Sequence, residues 1–136
     1  MLWLQRDAAA TVRADLRKVI PDKGAVQAMM PAGWTPRDGP VCTVVSDGTP
    51  ITNQGFTKEL VRVTVRAHDG PTARRILTDI DGYLLTPAMH RWGYSISPST
   101  GIIAGPDSRL GGWMASAVYG ITMNRKVASD GTENRT

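Results

Sequence analysis

The strongest constraint on the fold is a stretch of alternating residues near the C-terminus. From Trp113 to Asn124, one set of alternate positions is apolar, and the intervening residues are mostly small or polar. This period of two predicts a β-strand with one face in the core. A second alternation over residues 61–68 places valines on one face and Arg62 and Arg66 on the other. Two such strands predict a sheet with one buried face.

Two segments have the spacing of helices instead. Residues 7–20 and 70–85 carry apolar side chains three and four positions apart. Asp7 and Asp69 are suited to be N-caps, and a proline follows each segment, where a helix ends sharply. Three basic residues lie off the apolar face of the first helix and are interpreted as a solvated face: Arg13, Arg17 and Lys18.

Shorter elements complete the pattern. Residues 25–30 and 41–46 predict short strands, and residues 94–103 predict either a hairpin or one bulged strand. Proline and glycine in residues 31–40, and a turn signal followed by polar residues in 47–57, predict two long loops.

The order of these elements predicts an α+β fold. The expected architecture is a mainly antiparallel, twisted sheet of about five strands with two helices packed on one face. Residues 1–127 are assigned to a single domain. Residues 128–136 contain no large apolar side chain and are expected to form a flexible tail.

Composition excludes several classes of protein. The chain has 136 residues with a single cysteine and two histidines, which leaves no disulfide framework, no thiolate-rich zinc site and little for a histidine metal centre. No apolar run approaches the ~20 residues that span a bilayer, and no signal-peptide pattern opens the chain. We therefore expect a soluble cytoplasmic protein with no cofactor, no metal and no membrane contact.

Catalytic motifs are also absent from the sequence. It has no nucleophile elbow, no phosphate-binding loop and no dinucleotide fingerprint. Cys42 lies in an apolar strand and is expected to be buried. His68 and His90 have no adjacent residue that would orient them as acid–base groups. The sequence therefore predicts a protein that is not an enzyme.

The formal charge of +4 comes from 16 basic and 12 acidic residues that are spread along the chain. No five like charges sit together, so there is no basic arm of the kind that binds nucleic acid on its own. Arg62 and Arg66 share one strand face, which is either the wet face of the sheet or a contact with a polyanion or a neighbouring subunit's carboxylates. A small, non-specific nucleic-acid-binding module that uses this face stays open as an alternative.

One known family has a similar order of elements and turns. The features are an N-terminal helix ending in Ile20-Pro21, a proline-rich connection with Trp34 and Arg37, a strand over 60–68, a helix containing Ala73-Arg74-Arg75, the turn Gly105-Pro106-Asp107, Arg109, and a last strand ending in Asn124-Arg125-Lys126. With these features, residues 7–127 resemble the small tail terminator proteins of long-tailed (siphovirus-type) bacteriophages, particularly those that infect actinobacteria. Head–tail adaptors and stoppers of the same virion neck have similar sizes and are the closest alternative.

The resemblance implies a structural virion protein, assembled in the host cytoplasm. Such proteins form a homo-oligomeric, hexameric ring on the end of the tail tube, where they stop polymerisation of the major tail tube protein and meet the head–tail connector. Genomic double-stranded DNA passes through the lumen without sequence specificity. In such a ring, the 47–57 loop and the tail are expected at subunit contacts. Six basic residues become candidates for the subunit interface or the lumen: Arg37, Arg62, Arg66, Arg109, Arg125 and Lys126.

Overall fold

A computed structural model of the chain describes residues 2–20, 25–86 and 94–128. The described elements, in chain order, are β1 (Leu2–Leu4), α1 (Ala8–Val19), β2 (Val26–Gln27), a 3₁₀ turn (Pro36–Asp38), β3 (Val41–Thr52), β4 (Phe56–Ala67), α2 (Gly70–Leu85), β5 (Tyr94–Pro106), β6 (Trp113–Asn124) and β7 (Lys126–Ala128).

Five strands form the main sheet, in the order β2-β3-β4-β6-β5. The pairs β3–β4, β4–β6 and β5–β6 are antiparallel, and the short pair β2–β3 is parallel. The two helices pack on one face of this sheet, so the predicted α+β architecture is confirmed.

Alternation in the central strands separates the two faces of the sheet. Val63 of β4 lies opposite Ala117 of β6, and both are buried in the core with residues of both helices. Their neighbours point to the other face, where Arg62 lies opposite Val118. We call the first the covered face and the second the open face.

Both predicted N-caps are confirmed. The Asp7 carboxylate accepts a hydrogen bond from the Ala10 amide, and the Asp69 carboxylate accepts one from the Thr72 amide. A cap of this kind stabilises a helix by about 1 kcal/mol.

The long loop predicted over 47–57 is wrong. Strand β3 continues to Thr52 and β4 starts at Phe56, so only a short turn joins them. Two register shifts, on either side of Gly48, place the turn-like residues in bulges within the strand. An edge strand accepts proline and glycine at bulges, and for this reason Pro50 does not end β3.

The two alternatives left open for residues 94–103 resolve into one bulged strand. β5 runs continuously from Tyr94 to Pro106 and has register shifts on both sides of Thr100. The strand predicted over 25–30 is shorter and includes only Val26 and Gln27.

A small two-stranded sheet joins the ends of the described chain and was not predicted. β1 pairs antiparallel with β7, with Trp3 opposite Val127. We call this pair the terminal ribbon. It includes Ala128, which the sequence assigned to the tail, and the rest of that tail lies outside the described residues, as do Pro21, Pro87 and His90.

Candidate assembly surfaces

The six basic residues predicted as an interface or a lumen lining do not form one patch. Arg66, Arg109 and Arg37 lie near the end of the sheet where β6 begins, and Arg125 and Lys126 lie near the other end. Arg62 lies between them on the open face. The end of the sheet where β6 begins is called the closed end and is built from the 107–112 turn and the 3₁₀ turn. The opposite end is called the open end and is built from the terminal ribbon and the 53–55 turn.

Arg66 is held at the closed end by a carboxylate of its own chain. Its Nε donates to Asp107 Oδ2 at 3.2 Å, and the two side chains are 16% and 9% exposed. The other oxygen of Asp107 accepts from the amides of Arg109 and Leu110 at 3.0 and 3.1 Å. Partial burial acts to raise the pKa of Asp107, but these amides together with Arg66 lower it overall. The Arg66–Asp107 pair therefore fastens the turn to the open face.

Arg62 makes an ion pair of the same kind that is more exposed to solvent. Its guanidinium contacts Asp47 Oδ2 of β3 at 2.8 Å, and the side chains are 44% and 28% exposed. Ion pairs this exposed add little stability. Because both arginines are paired within the chain, their charges on the open face are largely neutralised locally.

Arg125 links the segments of the open end by hydrogen bonds. Its Nε donates to the Asn53 carbonyl at 2.6 Å and its Nη2 to Thr52 Oγ1 at 2.6 Å, while Nη1 reaches the Trp3 carbonyl at 3.3 Å. One guanidinium thus joins the 53–55 turn to the terminal ribbon. Arg125 was predicted as an interface or lumen residue, and its role within the chain is that of a clamp.

The other three predicted residues are exposed. Arg37, Arg109 and Lys126 make no side-chain hydrogen bond or ion pair with any residue that the structure describes. The turns that carry Arg37 and Arg109 are close neighbours, because a Cβ built on Gly112 would lie 3.1 Å from the Cγ of Pro36. The closed end therefore offers two exposed guanidinium groups on adjacent turns.

Two further arginines have roles that the sequence did not indicate. Arg13 Nη1 of α1 donates to the Val44 carbonyl at 2.7 Å, and Arg17 Nη2 donates to the Val26 carbonyl at 2.8 Å. The interpretation as a solvated face is therefore wrong for Arg13 and Arg17, whereas Lys18 is exposed. The two arginines bind carbonyl groups at the β2–β3 edge of the sheet, whose backbone polar groups need partners.

The open end exposes a group of apolar side chains that sequence reasoning missed. Leu2 and Trp3 are 55% and 56% exposed on the ribbon. The other large apolar side chains exposed at this end are Leu4, Ile51, Phe56 and Val127. Large exposed apolar patches mark contact sites with partners. The apolar run Leu2-Trp3-Leu4 is the one sequence signal for this surface. It does not predict a strand by itself, because its pairing partner lies at the other end of the chain.

A second apolar surface lies on the covered face between the helices. It is a groove of about 490 Å³ at the closed end of the sheet. Its floor includes Cys42 and Val65. Its walls come from the end of α1 and the middle of α2: Val19, Ile20, Ile76, Ile80 and Tyr83, with Arg75 and Asp79 on the α2 side.

Two helix aspartates, the buried Asp15 and the partly exposed Asp81, accept hydrogen bonds from tyrosines of the sheet. The Tyr119 hydroxyl donates to Asp81 Oδ1 at 2.5 Å, and the Tyr94 hydroxyl donates to Asp15, which is 4% exposed. Burial, followed by these hydrogen bonds, raises the pKa of both tyrosines. These contacts tie the helices to the sheet. No local sequence pattern predicts these hydrogen bonds, because each joins residues far apart in the chain.

The candidates for chemistry are not assembled into a site. Cys42 is buried as predicted, and burial raises the pKa of its thiol to about 12, which suppresses the reactive thiolate. His68 does have an adjacent partner, contrary to the sequence expectation: its Nε2 is 2.8 Å from Asp69 Oδ2. That pair is exposed, and Asp69 is already used as the helix cap. Hydrogen bonding by Thr72 lowers the pKa of Asp69.

Trp113 also differs from expectation. Predicted to pack in the core, it is 40% exposed and lies against Gly70 at the start of α2. Within the described ranges, no three metal-ligating side chains cluster, and no helix there has the length and apolar character needed to cross a membrane.

No protein-family model matches the chain, and no curated protein matches it in sequence. The functional argument therefore combines the resemblance in the order of elements and turns with the surfaces described above.

Proposed function

We propose that this chain is a structural protein of the phage head–tail neck. Copies form a ring that caps the tail tube, ends its polymerisation and joins the tail to the head connector. The proposal combines the family resemblance with the surfaces of the folded chain. Its partners are further copies of itself, the major tail tube protein and the connector, with DNA passing through the lumen.

The observation that carries the proposal is the apolar open end. A two-stranded ribbon is only marginally stable in water by itself, and this one exposes Leu2, Trp3 and Leu4. Exposed apolar area of this kind is costly in a free monomer and favourable when a neighbour covers it. A repeated building block of an assembly has this character.

The charge distribution favours assembly over nucleic-acid binding. A basic line, Lys58, Arg62 and Arg66, does run along the open face of β4, which supports the alternative of a polyanion-binding module. Asp47 and Asp107 neutralise two of its three charges. Weak attraction also suits a lumen through which DNA slides, because strong phosphate contacts would hold it.

Assembly of tail tubes in the presence of this protein tests the proposal. We expect tubes of the major tail tube protein to stop lengthening and to carry a ring at one end in electron micrographs. Tubes that lengthen unchanged, with no ring, would overturn the proposal. Binding to the head connector but not to the tube would instead indicate an adaptor or stopper.

Retention on a DNA column distinguishes the structural ring protein from the nucleic-acid-binding alternative. A structural ring protein should elute from a DNA column near physiological salt. Retention that weakens steeply with salt, and that Arg62→Ala and Arg66→Ala abolish, would establish the nucleic-acid-binding alternative.

A further inference from the structure

The two apolar surfaces of this chain lie far apart. The terminal ribbon is next to the 53–55 turn, where β3 ends and β4 begins. The groove between the helices lies over Cys42 and Val65, at the opposite end of the same two strands. A strand of β3's length spans roughly 35 Å. The ribbon therefore lies too far from the groove of its own chain to fill it.

We propose that the terminal ribbon of one copy docks in the groove between α1 and α2 of the next copy. This contact rests on the proposed ring, because it names the surfaces through which neighbouring subunits meet. Two different surfaces at opposite ends of a protomer produce a heterologous, head-to-tail contact, and such contacts close into rings when the rotation permits.

The chemistry of the two surfaces matches. On the ribbon, Leu2 and Leu4 share one face with Lys126, whereas Trp3 and Val127 point to the opposite face. The leucine face is the one that enters the groove. The groove presents apolar walls, including Val19, which is 47% exposed, and the half-buried Ile76 and Tyr83. Docking removes both apolar surfaces from water at once.

Charge favours one orientation of the ribbon in the groove. The ribbon carries Lys126, which is exposed and flanks the apolar side chains. The α2 wall of the groove carries the exposed Asp79, which has no ion pair with any described residue, and Arg75 one turn earlier. Seating Lys126 towards Asp79 and away from Arg75 is the favoured arrangement.

Disulfide trapping between two single-cysteine variants tests the contact. One variant is Leu2→Cys, which keeps Leu4 on the same face of the ribbon, and the other is Ile76→Cys in the groove wall. Native Cys42, which forms part of the groove floor, is replaced by Cys42→Ala in every variant, so that each carries one cysteine and none can pair with position 42. Under mild oxidation, we expect the mixture to give about tenfold more covalent dimer than either variant alone, since docking raises the effective concentration of the two thiols.

Two controls make the result specific. Ile103→Cys, on the open face and 60% exposed, replaces Ile76→Cys in a matched mixture and should give only background dimer. Val19→Cys, on the other wall of the groove, repeats the test should Ile76→Cys fail to fold. Adding Leu4→Ser to Leu2→Cys should return the dimer to background.

The outcomes separate this contact from the proposed function. No dimer above background with either groove variant overturns the contact. Efficient dimerisation of Leu2→Cys alone also overturns it, because it shows a symmetric ribbon-to-ribbon contact. Dimer formation by a protein that fails to cap tubes would support the contact and contradict the terminator function. Capped tubes without the dimer would support the terminator function and contradict the contact.

Discussion

The two ends of the sheet are built by opposite means. At the closed end, polar groups and close packing complete the structure within the chain: Asp107 binds two amides and Arg66, and Pro36 packs near Gly112. At the open end, Arg125 also clamps a turn, but the side chains around it stay exposed and apolar. The two turns of the closed end are complete in a monomer, whereas the open end, like the groove between the helices, presents a surface that a partner can cover.

This difference separates stability from assembly. Changes at the closed end should lower the free energy of unfolding, because they remove contacts that the monomer already makes. Changes in the apolar side chains of the open end should leave the monomer nearly as stable and weaken its association. Four substitutions test this contrast, ordered here from the largest expected loss of unfolding free energy to the smallest.

Gly112→Ala should have the largest effect. Gly112 has a φ of 74°, and an added Cβ would lie 2.4 Å from the Ala67 carbonyl oxygen. The sum of backbone strain and steric overlap predicts a loss of about 3 kcal/mol or more in a denaturant titration. Gly111→Ala is the matched control, with a φ of 81° and no atom closer than 3.7 Å to the new Cβ, and should cost about 1 kcal/mol. Equal losses would show that the closed end is not tightly packed.

Arg66→Ala should cause the second-largest loss of unfolding free energy, measured by denaturant titration at neutral pH. Removing Arg66 leaves Asp107 with only its amide partners in a largely buried position, which predicts a loss of about 2 kcal/mol. Arg62→Ala breaks a far more exposed pair of the same type and should cost about 0.5 kcal/mol or less.

The Arg66 effect should also depend on pH in a defined direction. Because the folded pKa of Asp107 is lowered, its contribution is fully present above the unfolded value near 3.9 and is lost as pH falls through the folded value. The gap between wild type and Arg66→Ala should therefore narrow below about pH 4. A gap that stays constant into strong acid would show that Arg66 acts through packing alone.

Arg125→Ala should have a smaller and more local effect. It removes the hydrogen bonds to Asn53, Thr52 and Trp3, and a loss of about 1 kcal/mol is expected. Hydrogen exchange should show the ribbon amides opening about fivefold faster, while the closed end is unchanged. Lys126→Ala, one residue away and exposed, should leave both unchanged. Faster exchange over the whole sheet would mean that the open end is part of the cooperative core.

Leu2→Ser should have the smallest effect on unfolding, within about 0.5 kcal/mol, because the side chain is more than half exposed. Its effect should appear in association: capping of tail tubes should be lost. Ile103→Ser removes a similarly exposed apolar side chain from the open face and should leave capping intact. Equal loss of capping by the two variants would remove the open end as the contact surface.

Local patterns were enough to predict the main elements of the fold. Alternation identified β4 and β6, and the caps Asp7 and Asp69 with apolar spacing identified both helices. The prediction was wrong where local and long-range effects compete. Gly48 and Pro50 are usual in turns, but pairing with β4 keeps them in a bulged strand. The β1–β7 pair has no local signal at all, because its strands lie at opposite ends of the chain.

The candidate surfaces were less predictable than the fold. Basic residues stand out in a sequence, and they were chosen for this reason, but a guanidinium is also a good partner for backbone carbonyls. Arg125 and Arg13 serve in that way, which no spacing rule indicates. Exposure of Leu2, Trp3 and Leu4 depends on what the fold leaves uncovered. Such a surface can be identified only once the strands are placed.

Hydrogen exchange of the protein, free and bound to tail tubes, tests the contrast between the two ends most directly. We expect binding to slow exchange strongly in Leu2–Leu4, in Lys126–Ala128 and in the helix segments beside the groove. The 107–112 turn, which is complete in the monomer, should change little. Slowed exchange in the 107–112 turn, with the ribbon unchanged, would contradict the assignment of the open end as the assembly surface.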